Sequence, residues 1–150
     1  MKKETQIVYR FLTKQELNDW LNNKNNISKS YKNDNMAQSN NHKYIEGVKY
    51  VHFFENLIDA PSVLNILDQN TNILCKFELP TSTLSKHEGL GSYYDQNMDK
   101  ETVKEYAIPV DLVDAKCLKE YKVINSIDNA KYINENIGWN SVANDKEFEL

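Results

Sequence analysis

QIVYRFLTKQELNDWL, residues 6–21, changes its period once, and that change sets the class of fold. Gln6 to Leu12 is rich in β-branched and aromatic side chains and reads as a strand. Thr13-Lys14-Gln15-Glu16 then matches a capping box. In such a box the Thr13 side chain accepts from the amide three residues on, and Glu16 reaches back to the amide of Thr13. Leu17, Trp20 and Leu21 follow at helical spacing, which predicts a helix over about residues 14 to 23.

Outward from this unit the chain alternates again. Lys49 to Phe54 (KYVHFF) reads as a second strand, and Asn56 to Leu67 carries apolar residues at helical intervals. Pro61 suits the first turn of that helix and Asp59 its cap. Asn72 to Leu79 is a third strand, ended by Pro80, and Thr81 to Asp99 reads as a loop. Lys104 to Pro109 (KEYAIP) is a fourth strand, Val110 to Asp114 a turn, and Cys117 to Ile124 a fifth strand. Ala130 to Ile137 predicts a short helix, and the chain from Asn140 onward frays. Strand, helix, strand, helix and then several strands is an α+β order. It predicts a central, mostly antiparallel sheet with two or three short helices.

Between the first helix and the second strand, residues 22 to 42 hold eight asparagines and almost no apolar side chains. A polar loop of this length is either a solvated excursion or a functional element. The whole chain, at 150 residues, has the size of a single domain. Its hydrophobic fraction of 40% supplies one core and excludes wholesale disorder. A net charge of −4 argues against general affinity for a phosphate backbone. Cys75 and Cys117 stand in apolar or strand-like runs and read as buried reduced thiols. His42, His52 and His87 are scattered, and no cysteine pair has zinc-ligand spacing, so no metal site is expected. MKKETQIVYRF lacks the long apolar stretch of a signal peptide, and no run reaches the roughly 20 apolar residues that cross a bilayer. A cytoplasmic protein without membrane contact is the expectation. GLG at 89–91 is not a dinucleotide fingerprint.

Four features can carry chemistry. Arg10 is a guanidinium inside an apolar strand, with Tyr9 and Phe11 pointing to the opposite face. Its fork suits a phosphate or carboxylate, or else a plain salt bridge. Glu105 lies on a strand face otherwise small or apolar. There a carboxylate stabilises developing positive charge or holds a hydroxyl, unless it simply meets solvent. His52 shares a face with Tyr50 and Phe54, as a ligand contact or as a satisfied semi-buried histidine. Tyr93 and Tyr94, near flexible glycine backbone, either stack on a planar ring or plug a core edge.

The order of Arg10, YVHFFENLIDAPSVLNIL, ILCKFELPTSTL and EYAIPVDLVDAKCLKEYKVI resembles the small bacterial and phage ADP-ribosyltransferase-like domains over about residues 6 to 124. The resemblance implies an NAD-binding transferase of glycosyltransferase chemistry, of a toxin or phage-effector kind. It implies a protein or nucleic-acid acceptor and a neutralising partner protein. It implies that Arg10 grips the dinucleotide and that Glu105 is the catalytic glutamate. Tyr9, His52, Phe54, Tyr93 and Tyr94 would complete the cofactor-binding wall. VHFF stands where the toxin-like branch has Ser-Thr-Ser, and Val103 stands where that branch has Glu or Gln, which leaves the acceptor open. The alternative is a non-catalytic protein-binding or inhibitor module on the same scaffold; a third reading, a related enzyme acting on RNA phosphates, is disfavoured by the acidic charge balance. A transferase requires Arg10 and Glu105 to converge on one cleft and not to lie on opposite sides of the sheet; a binding module predicts that they point apart or are neutralised by structural partners.

Overall fold

The computed structural model describes residues 4–22, 48–94, 97–133, 136 and 138–142. These form an α+β fold around one antiparallel sheet of seven strands. In chain order they are β1 (Thr5–Leu12), α1 (Lys14–Asn22), β2 (Tyr50–Phe54), α2 (Ala60–Asn65), β3 (Ile73–Pro80), α3 (Thr81–Lys86), β4 (Glu88–Tyr94), β5 (Lys100–Pro109), β6 (Leu118–Val123), α4 (Ile127–Ala130) and β7 (Asn140–Ser141). The strand order across the sheet is β4-β5-β2-β1-β3-β6-β7.

Strand alternation splits the apolar residues into two cores. Val8 and Leu12 of β1 join Val51, Phe53, Ile73, Cys75, Phe77 and Ile108 on one face, covered by Leu17, Trp20 and Leu21 of α1 and Leu84 of α3. Tyr9, Phe11, Phe54, Leu74, Tyr93 and Val103 occupy the other face, under Ala60 and Val63 of α2 and Ala130 of α4. The capping box forms as its residues predict: Thr13 Oγ1 accepts from Glu16 N at 3.1 Å, and Glu16 Oε1 accepts from Thr13 N at 3.4 Å.

Several segments depart from the sequence reading. The expected loop 81–99 contains α3 and β4, because β4 pairs in register with β5 from Glu88↔Tyr106 to Tyr94↔Lys100. The same ladder extends β5 back to Lys100, four residues before KEYAIP. The helix expected over 56–67 is a 3₁₀ turn at Leu57–Asp59 followed by the six-residue α2. Pro61 does stand in the first turn of α2, but Asp59 makes no side-chain cap bond. Of the helix expected over 130–137, only Ala130 is helical among the described residues, as the end of a helix at Ile127–Ala130 where the Ser126 side chain accepts from Asn129 N; 134, 135 and 137 lie outside the described residues. Asn140–Ser141, expected to fray, adds a short strand to β6. Apart from Asn22, which ends α1, the asparagine-rich loop lies outside the described residues, as does the tail beyond 142. No helix among the described residues is long and apolar enough to cross a membrane.

One irregularity positions the site. β1 pairs with β3 at eight positions from Thr5↔Pro80 to Leu12↔Ile73, yet with β2 at the single position Tyr9↔Phe54. Beyond that pair the ladder between β1 and β2 stops. The Arg10 guanidinium spans the interval instead, donating from Nη1 to the backbone carbonyl of His52 at 3.2 Å.

Candidate functional site

A cavity of about 300 Å³ opens where β1 and β2 part. Arg10 and Phe11 border it from β1, Glu16 from α1, His52 and Phe54 from β2, and Tyr93 and Glu105 from β4 and β5. The segment joining α2 to β3 closes the rim with Leu67, Asp68 and Thr71. Apolar walls with a few convergent polar groups are the usual build of a small-molecule site, and the volume is at the lower end of that range.

Glu105 is the most unusual group in it. Alternation along β5 points it to the face of Val103, among aromatic side chains, and only 1% of it is exposed. The Tyr93 hydroxyl donates to its Oε2 at 2.6 Å, a distance typical of a charge-assisted bond. Its Oε1 is buried without a hydrogen-bond partner. Burial pushes the carboxyl up from 4.5 to about 7, against the Tyr93 hydrogen bond, which pulls it down. No cation shares that balance, so the carboxylate carries its desolvation largely uncompensated.

Arg10 reaches the same cavity by another route. Its strand position belongs to the face of Val8 and Leu12, opposite to Glu105, and its register partner Cys75 lies in that core. The opening between β1 and β2 lets one cavity touch both residues. There the guanidinium also meets Glu16 Oε2 at 3.4 Å. That is long beside the roughly 2.7–2.9 Å of a well-formed charge-assisted pair. Below it, burial raises the Cys75 thiol well above its ordinary value, so this cysteine is inert packing and not a nucleophile.

The structure therefore brings Arg10, His52, Phe54, Tyr93 and Glu105 to one cavity. Tyr9 and Tyr94 do not line it. Tyr9 packs behind Phe54, ring centroids 5.7 Å apart, and against Trp139 at 6.3 Å. Tyr94 is half-exposed on β4, its carbonyl accepting from Asn65 Nδ2 at 3.0 Å. Two contributors escape a reading of the sequence in a line. Glu16 reads as a helix cap alone, yet it is also the Arg10 partner. Gly91 reads as loop, yet a Cβ there would lie 2.5 Å from Glu105 Oε1. The signal for the latter is present in EGLGSYY: once that stretch is a strand, Gly89, Gly91 and Tyr93 share one face by period two. Among the described residues no group of three or more His, Cys, Asp or Glu side chains is placed to hold a metal.

Comparison with protein-family models, with curated proteins and with solved structures yields no match to this chain.

Proposed function

We propose that the cavity binds the nicotinamide riboside end of NAD and that the protein is an ADP-ribosyltransferase-like enzyme with Glu105 as its catalytic carboxylate. The observation that carries this reading is the convergence of Arg10 and Glu105 on one cavity. Arg10, at the parted end of β1 and β2, exchanges its long contact with Glu16 for a pyrophosphate oxygen. Phe11 and Phe54, stacked with centroids 5.9 Å apart, form an apolar wall for a planar ring. Glu105 Oε1 then accepts a ribose hydroxyl, which satisfies an otherwise unmatched buried acceptor.

Transfer breaks the bond from ribose C1′ to the nicotinamide nitrogen. Nicotinamide leaves with the electron pair, and the ribose passes through an oxocarbenium-like state before the acceptor's nucleophile bonds to C1′ and loses its proton. A carboxylate fixed beside the ribose, in a site of low dielectric, lowers the energy of that positive charge more than it would in water. Only the ionised form of Glu105 does so, and with its carboxyl at about 7 a large share is already ionised at neutral pH.

The experiment is incubation of the purified chain with NAD while nicotinamide release is followed, with Glu105→Gln as control. Release by the wild-type protein that vanishes in the variant supports the enzyme. Absence of both nicotinamide release and any saturable NAD effect on melting temperature rejects it. A second reading, a non-catalytic binding module, is favoured by two observations: the pairing of Arg10 with Glu16, and the strand position of Arg10 on the sheet face opposite to Glu105. It predicts NAD-independent stability in every variant.

A further inference from the structure

We infer that Tyr93 is the positioning residue of this site: its hydroxyl holds Glu105 Oε2 so that Oε1 alone is presented to the ligand, across a strand face cleared by Gly91. The inference deepens the transferase reading, but the geometry behind it stands without NAD. Tyr93 and Glu105 lie on adjacent strands, two same-face steps apart: Gly89 is the direct partner of Glu105, Gly91 that of Val103 and Tyr93 that of Glu101. A carboxyl in the middle of a sheet face is normally walled by its cross-strand neighbours. Here the direct neighbour and the diagonal one are glycines, and at the diagonal one, Gly91, the carboxyl group occupies volume that a side chain would take. The room is fully used: a Cβ on Gly91 would come within 2.6 Å of the Tyr93 ring and 2.7 Å of Glu105 Cδ. The Tyr93 ring, 4% exposed, cannot swing away without opening the core shared with Tyr9 and Val103. The hydroxyl is thereby fixed, and so is the carboxylate oxygen it serves.

Such an arrangement divides the labour of one carboxylate. Oε2 is held by the protein, and Oε1 is left for a donor on the ligand. The hydrogen bond favours the ionised form, in opposition to burial. The other charged or titratable groups bordering the cavity are Arg10 on β1, Glu16 on α1, His52 on β2 and Asp68 after α2. None of them is bonded to either oxygen of Glu105.

The test uses the full chain and needs no ligand for its first readout. Carbon-detected NMR follows the Glu105 carboxyl through pH, the resonance being assigned by its loss in Glu105→Gln. Tyr93→Phe keeps the buried ring and removes only the hydroxyl. It is expected to raise the titration midpoint by roughly one unit or more, the size expected for losing a hydrogen bond to a charged group. Tyr93→3-fluorotyrosine strengthens the donor and is expected to lower the midpoint, so a protein that tolerates only one of the two changes still gives a sign. The pH profile of NAD binding is expected to move with the midpoint. An unmoved midpoint in either variant overturns the positioning role, even where NAD binds normally. A midpoint that moves in a protein that binds no NAD at any pH preserves the positioning role and removes the transferase reading instead.

Discussion

Gly91 and Glu105 are packed so closely across the β4–β5 ladder that a methyl group on the glycine would stand 2.5 Å from the carboxylate oxygen Oε1. The glycine is therefore part of the site, although it contributes no atom beyond the backbone. Its value is steric, because the backbone there is ordinary extended strand.

Gly91→Ala follows directly. The added carbon has to displace either the Glu105 carboxyl or the Tyr93 ring, and both are buried. Overpacking of this kind costs about 1–3 kcal/mol. Chemical denaturation is expected to show that loss, together with a Glu105 titration midpoint different from the wild type. A variant of unchanged stability and unchanged midpoint would show that the space beside Oε1 is not needed.

Glu105 also predicts a stability that depends on pH. Its carboxyl moves from an ordinary 4.5 to about 7 on folding, so between these values the folded chain binds more protons than the unfolded one. The stability linked to this proton is fully present below about 4.5, declines as pH climbs to about 7, and is level above it. The decline is on the order of 3 kcal/mol. Glu105→Gln removes it, so the variant is expected to melt higher than the wild type at pH 8 and to lose that advantage towards pH 4.5. Measuring both proteins across the range isolates this group from the other carboxyls; a difference curve without slope contradicts the buried, uncompensated carboxylate.

Arg10 and Glu16 separate affinity from folding. Glu16→Gln retains a residue that serves the capping box but withdraws the charge that competes for the guanidinium. NAD affinity is expected to rise, on the order of threefold, in calorimetric titration. Arg10→Lys keeps the charge and loses the planar fork, and affinity is expected to fall on the order of tenfold. The two variants moving in the same direction would refute the exchange of Glu16 for phosphate.

The opposite core rests on aromatic contacts of α1. Trp20 is buried against Phe77 with centroids 5.0 Å apart, and Phe77 meets Phe53 edge-on at 4.9 Å. Trp20→Ala is expected to cost about 3–5 kcal/mol. Equilibrium unfolding measures it, and a loss below 1 kcal/mol would mean that α1 is not anchored through this side chain.

Local patterns are where the sequence alone was decisive. Thr13 and Glu16 announced the start of α1, since a capping box closes within four residues and needs nothing distant. Alternation in Gln6 to Leu12 and in KYVHFF likewise separated Tyr9, Phe11 and Phe54 from Val8 and Val51, and the two cores keep that division. EGLGSYY carried no such message. Two glycines lower its intrinsic strand preference, and it is a strand because β5 supplies a ladder from 106 down to 100. The site was distributed in the same way. Arg10 and Glu105 stood out as charges in apolar surroundings, which is a property of each strand by itself. That one cavity reaches both depends on β1 and β2 sharing a single registered pair, and that a buried Glu105 oxygen has room beside it depends on what β4 omits there. Those are relations between segments far apart in the chain, set by packing, and no stretch of residues contains them.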